Sequence, residues 1–182
     1  MFYIAVITGA NLIIALKNAL LFKDSFTYSL CISITATVFL IAIDGLSALL
    51  IRLMPESWFL PDVALFSVGQ KERSFYKKIG VKHWKHLVPE LGLFTGFHKD
   101  KLQSTNNPHY LKRFILESNY GVIIHLANGI LGFIILLFPF LGGISIALPA
   151  AFVNLILSIM PIIILRFNTP ILMRLYKKAH TT

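Results

Sequence analysis

Charged residues are scarce in four stretches of the chain, Phe2 to Phe22, Phe26 to Ile51, Ile115 to Phe140 and Ile144 to Leu165. Each is long enough to cross a bilayer, whose hydrocarbon core takes about 20 apolar residues in a helix. The pattern predicts an all-α integral membrane protein with four transmembrane helices. Tight turns near Lys23 and at Gly142-Gly143, with Pro139 close by, arrange them as two hairpins. Between the hairpins, residues 52–114 have a different texture, punctuated by Pro55, Pro61, Pro89 and Pro108. Trp58, Phe59, Leu60, Val63, Leu65 and Phe66 form an amphiphilic run, after which Phe75, Tyr76, Ile79, Val81 and Trp84 alternate with Lys77, Lys78, Lys82 and Lys85. That is the composition of an insert lying in the headgroup layer. The whole reads as a single membrane domain, 1–182, with a basic tail, 166–182, in which Asn168 and Pro170 cap and end the fourth span. The first span has no basic residues before it and no A-x-A site after it, so it is expected to be retained and not removed as a signal peptide.

Composition agrees with a bilayer environment: 56% of the 182 residues are hydrophobic and only 14% are charged. Lys and Arg number 17 against 8 Asp and Glu, a net charge of +9. A basic chain raises the question of nucleic acid, and the placement of the charges answers it. Eleven Lys and Arg fall between Arg52 and Arg113 and four between Arg166 and Lys178, which is the positive-inside pattern of a bacterial inner-membrane protein with both termini cytoplasmic. The expected partner is membrane lipid and not nucleic acid. The insert lysines suit anionic lipid or a dedicated phosphate surface equally well. The single Cys31 gives no disulfide framework and no zinc pattern, and no metal site is expected.

Within the spans the polar residues are few enough to be counted by depth. At about 1.5 Å per residue, His125, Asp44 and Ser158, each eight residues from an expected cytoplasmic boundary, lie about 12 Å into the membrane. Asn154 is one turn deeper. Gly121, His125, Asn128, Gly129 and Gly132 share one helical stripe, with Glu117 at its interfacial end. Small residues and asparagines are the ordinary means of packing helices in lipid, and Asn128 and the glycines are read that way. An ionisable residue inside a span is costly and marks function, which singles out Asp44 and His125. A carboxylate orienting an imidazole makes a general base, with His125 as the base and Asp44 as its orienter. Glu117 and Arg113, four residues apart, form an ion pair at the interface, while Lys17 reaches water along its own stem.

From Ser74 onward the sequence resembles a known family. Phe75-Tyr76, the K-x-W-K pattern of Lys82, Trp84 and Lys85, the turn of Pro89 and Gly92, and Gly96-Phe97 with Lys99 and Leu102 match it, as do "YLKRFILES" ahead of His125 and "PIIILRFNTP" near the end. The likeness, over about residues 74–175, is to the glycosyl-4,4'-diaponeurosporenoate acyltransferases, membrane enzymes that place a fatty acyl group on the sugar of a staphyloxanthin-type carotenoid. The chain departs from that pattern at Asn119-Tyr120-Gly121-Val122, where the family carries an arginine and an acid, at Leu126, and at Thr169 in place of a second arginine. The resemblance implies transfer of an acyl group from a thioester, acyl-CoA or acyl carrier protein, to a lipid-like glycoside at the cytoplasmic face, with no bound cofactor. Depth and the resemblance together give His125, Asp44 and Glu117 as the expected catalytic group, with Asp44 chosen by depth alone. Lys82, Trp84, Lys85, Arg113, Ser158, Arg166 and Asn168 are the residues expected to hold substrate, the basic ones against the donor's phosphates.

Other classes are weaker. No His is followed five positions later by Asp, which excludes the H-x4-D glycerolipid acyltransferases, and four spans are too few for the large membrane-bound O-acyltransferase folds. No Gly-rich phosphate loop, HExxH or G-x-S-x-G motif occurs. A non-catalytic assembly or lipid-binding partner of a biosynthetic complex is the alternative. A proton-relaying transporter ranks last, because it leaves the aromatic insert without a purpose.

Overall fold

A computed structural model describes residues 2–88 and 107–181. Pro89, Gly92, Gly96-Phe97, Lys99 and Leu102, which carry part of the family resemblance, lie outside the described residues. The described chain is helical, with no strand: α1 Phe2–Leu21, α2 Phe26–Arg52, α3 Gln70–Lys78, α4 Val81–Trp84, α5 Pro108–Leu131 and α6 Gly143–Thr181, joined by short 3-10 turns. Four helical segments are long and apolar enough to cross a membrane, Phe2–Leu21, Phe26–Arg52, Pro108–Leu137 and Gly143–His180.

Two helix ends differ from expectation. α5 begins at Pro108, a full two turns before Ile115. Asn107 caps it, its Oδ1 accepting from the Tyr110 amide at 3.2 Å, and proline suits the first helical position because its missing N–H has no partner there anyway. α6 runs through Asn168 and Pro170 to Thr181, so neither residue ends it. Pro170 forfeits the bond to the Arg166 carbonyl, and burial of Leu165, Thr169 and Leu172 around it carries the helix on.

The chain divides into two compact units, Met1–Ile51 with Ile124–Ile159, and Arg52–Ile123 with Met160–Thr182. In the first, Ile14 of α1, Ala36 and Leu40 of α2, Ile135 and Leu141, and Ile146, Ala147, Ala150 and Ala151 of α6 form the core. Alanines on α6 let the backbones approach closely. The polar residues are inside: Asn11, Asn18, Ser29, Ser33 and Ser47 are buried, while Ile4, Ile13, Leu20, Val38, Ile41 and Leu46 face outward. Polar-in and apolar-out inverts a water-soluble bundle and suits lipid surroundings. Asn11 Oδ1 accepts from Ser33 Oγ and Thr37 Oγ1, tying α1 to α2. Lys17 does not extend toward water; its Nζ donates to the Ser145 carbonyl at 2.6 Å, beside the Asn18 amide, which donates to the same oxygen at 3.2 Å. Gly142 and Gly143, at φ of 79° and 51°, make the left-handed turn that starts α6.

The second unit is built on aromatic packing. Pro55 and Pro61 interrupt the chain after α2 and leave only 3-10 turns at Glu56–Phe59 and Ala64–Phe66. Phe59 stacks on Tyr120 of α5 with ring centroids 3.9 Å apart, and Phe66 stacks on Phe59 in turn. Asn119 Nδ2 donates to the Phe59 carbonyl at 2.8 Å and Tyr120 Oη to that of Met54 at 3.3 Å. The positions at which the chain departs from the family pattern, Asn119 and Tyr120, are thus part of this unit's packing. Gly80, at φ 65°, turns α3 into α4.

Candidate active site

In the first unit, three helices meet through buried polar groups. Asn154 of α6 directs its Nδ2 at Asp44 Oδ1 of α2, 3.3 Å away, and at the Asn128 carbonyl of α5, 3.1 Å away. Ser47 of α2 donates to Asn128 Oδ1. The close approach depends on Gly132, where a Cβ would stand 2.8 Å from Asn154 Nδ2 and 3.3 Å from Leu40 Cδ2. Ser158, 3% exposed, lies one turn along α6 from Asn154 and packs beside Gly129 of α5, its Cβ 3.6 Å from where one on Gly129 would be. His125 is half-buried on α5, one turn from Gly129.

These contacts fix the antiparallel register of α2 and α5, with Leu40 beside Gly132 and Ser47 bonded to Asn128. Asp44 therefore falls one turn to one side of the Ser47–Asn128 bond and His125 one turn to the other. The Ser47–Asn128 bond puts six residues between their levels, about 9 Å along the axes, and the Leu40–Gly132 contact, which sets Asp44 opposite Asn128, puts three, about 4.5 Å. Ser158, like Asn154 and Ser47, lies against the stripe that carries His125.

In the second unit, Glu117 is held from two sides. Arg113 Nη2 reaches its Oε1 at 2.8 Å and Arg52 Nη2 its Oε2 at 3.0 Å. Arg113 also meets Glu56 at 3.1 Å. The expected i,i+4 pair is present, and Arg52, which the sequence marks only as the end of a span, joins it. Its guanidinium lies 5.7 Å from the Tyr120 ring centroid, a cation over an aromatic face. Where the family pattern has an arginine at Tyr120, positive charge reaches Glu117 from α2.

Arg166 is bonded to four acceptor atoms of its own unit. Its Nε and Nη2 bind Glu72 of α3, Nη1 donates to the Leu65 carbonyl at 3.2 Å and Nη2 to that of Ser67 at 3.0 Å. A guanidinium engaged on all sides is a clamp on α3 and the preceding loop rather than a free phosphate ligand. Arg166's hydrogen bonds hold the Glu72 carboxyl below its ordinary range. Tyr76, which donates to Glu72, has its phenol pushed up to about 12, first by burial and then by that carboxylate. Nothing near Glu72 in sequence announces this: its partner is 94 positions away.

The remaining predicted residues are dispersed over the second unit. Lys82 is exposed and Asn168 half-buried. Lys85 Nζ stands 5.9 Å from the Phe167 ring centroid, and Trp84 Nε1 donates to the Ile79 carbonyl at 3.1 Å.

A family model described as Glycosyl-4,4'-diaponeurosporenoate acyltransferase matches residues 55–178, more than half of the chain. The chain belongs to this family. It is therefore a member of an acyltransferase family with four helices able to cross a membrane, and the match includes His125, Asn128, Asn154, Ser158, Arg113, Glu117 and Arg166. Asp44 and Arg52 stand outside it. None of the curated proteins and none of the solved structures compared with the chain matches it.

Proposed function

We propose that the protein transfers a fatty acyl group from a thioester donor to a hydroxyl of a glycosylated carotenoid or similar glycolipid at the cytoplasmic face of the bacterial inner membrane. The observation that carries the reading is an ionisable His125, half-buried in the membrane-length helix α5, inside the segment matched by an acyltransferase family. An imidazole there can take the proton of a sugar hydroxyl as its oxygen attacks the thioester carbonyl; the C–S bond breaks and the leaving thiolate recovers the proton from the imidazolium. Ser158, beside Gly129 and one turn from His125 along the bundle, is placed to orient the hydroxyl. Asp44 acts through Asn154, which donates to it and to the Asn128 carbonyl of the His125 stripe.

The donor side of the reading rests on charge. Lys82, Lys85 and Arg113 retain exposed or half-exposed cationic groups suited to the phosphates of acyl-CoA or the carrier-protein arm, while Arg166 braces the wall on which they stand. Glu117 keeps Arg113 and Arg52 in place. The bias of basic residues to 52–113 and 166–178 supports the cytoplasmic placement.

The second reading, a non-catalytic partner of a biosynthetic complex, has one observation in its favour: Tyr120 and Asn119 fill with packing residues the region where the family pattern has charge. Membranes containing the protein, given acyl-CoA and a glycolipid acceptor and analysed by mass spectrometry, separate the two. The acyltransferase reading expects ester product, reduced by about 10²–10⁴-fold in His125→Ala. Equal transfer by that variant removes His125 as base. No product from folded wild-type protein favours the partner.

A further inference from the structure

The second unit contains a cavity of about 210 Å³ bounded by the loop from Pro61 to Val68, by Arg73 of α3, by Ile115 and Asn119 of α5 and by Thr169 to Met173 of α6. Its polar lining is mixed. Asp62 and Arg73 bring one negative and one positive group, and neither side chain is engaged by another described residue. Asn119, 1% exposed, gives its amide nitrogen to the Phe59 carbonyl and keeps its Oδ1 as an acceptor. Ser67, whose hydroxyl proton goes to the Ala64 carbonyl at 2.7 Å, adds an acceptor oxygen, and its backbone is pinned by Arg166, so the wall is held in place before any ligand arrives. Between these groups lie the apolar surfaces of Phe66, Ile115 and Met173.

The pairing of a carboxylate with a guanidinium leaves the lining without net charge, which does not suit a phosphate or a carboxylate. It suits a neutral ligand with many hydroxyls, each able both to donate and to accept, and with a C–H face to rest on apolar side chains. The volume is below the roughly 300–1,000 Å³ of drug-sized pockets, room for one small ring. We propose that this cavity seats the sugar ring of a glycoside before transfer, a holding site six residues along α5 from His125. The proposal rests on the reading of the protein as a glycoside acyltransferase.

A dodecyl glucoside bearing a diazirine on its sugar, photolysed with the full-length protein in membrane vesicles and mapped by peptide mass spectrometry, tests it. Labelling is expected within residues 61–73, 115–119 and 169–173, competed by unmodified dodecyl glucoside and absent there with a sugarless alkyl diazirine. Asp62→Asn, which preserves volume, is expected to lower that labelling about tenfold, as for loss of a charge-assisted hydrogen bond. Met173→Trp, which fills the cavity, is expected to abolish it. Labelling elsewhere, no labelling, or labelling indifferent to both variants overturns the proposal. Acyl transfer measured in the same vesicles separates the two ideas: transfer with the label elsewhere sinks the cavity assignment alone, and cavity labelling without transfer sinks the acyltransferase reading while the sugar site stands.

Discussion

Arg166 of α6 holds Glu72 of α3 through two parallel N–H···O bonds, 2.5 Å from Nε and 2.9 Å from Nη2. The same guanidinium closes on the Leu65 and Ser67 carbonyls, so one side chain fixes α3 and the loop before it. Lysine has the charge but not the fork. Arg166→Lys is expected to destabilise the protein by about 1–3 kcal/mol, read as a lower thermal midpoint in detergent. A double-mutant cycle with Glu72→Gln should recover most of that as coupling; additive losses would show that the two side chains act independently.

Acid should open the same clamp. Arg166 lowers the Glu72 carboxyl from its ordinary value of 4.5, so its contribution is complete above that value and is lost as pH falls through the lower, folded one. Below about pH 4.5 the difference in thermal midpoint between wild type and Glu72→Gln should shrink, and it should be constant from there to neutrality. A difference that instead grew toward low pH would contradict the geometry.

Gly132 gives Asn154 its room. A methyl at this position must displace the Asn154 amide, only 2.8 Å away, and with it the links to Asp44 and Asn128. The gain in helix propensity from Gly to Ala, about 1 kcal/mol, is smaller than the overpacking and lost bonds, about 1–3 kcal/mol each. Gly132→Ala should therefore lower the thermal midpoint. Gly9→Ala, at a position where a Cβ would meet nothing within 4 Å, should not.

The offset between Asp44 and His125 makes a kinetic prediction. Two groups in direct contact and acting as a unit lose similar activity singly and together. With Asp44 joined to Asn128 of the His125 stripe through Asn154, Asp44→Asn should cost less than about tenfold in acyl transfer while His125→Ala costs about 10²–10⁴. Equal and non-additive losses would restore the direct pairing.

Ser29 and Ser33 are both fully buried one turn apart on α2, yet only Ser33 has a partner, Asn11; Ser29 Oγ has none. Removing an unpartnered buried hydroxyl recovers desolvation free energy, whereas removing a bonded one strands Asn11. Ser29→Ala should be neutral or stabilising and Ser33→Ala destabilising by about 1–2 kcal/mol, both by thermal unfolding in detergent.

The four membrane-length helices were legible because hydrocarbon demands long apolar runs, and nothing else in the sequence competes with that signal. Their ends were not. Asn107-Pro108 is a readable start in hindsight, obscured by the charges that follow, whereas Pro170 within α6 depends on burial around it, which a local reading cannot see. The Arg113–Glu117 pair was legible as an i,i+4 spacing, but Arg52 reaches Glu117 from 65 positions away and Arg166 reaches Glu72 from 94. The stripe from Gly121 to Gly132 located α5's packing face correctly. Depth counting needs the true helix ends and the register, and both are set by contacts between helices.

α6 is a single helix of 39 residues, about 58 Å long at 1.5 Å per residue, nearly twice the thickness of the hydrocarbon. Even inclined by about 40°, it outruns the acyl chains by roughly ten residues. Its last turns, with Arg174, Lys177 and Lys178, thus form a stiff post rather than a whip.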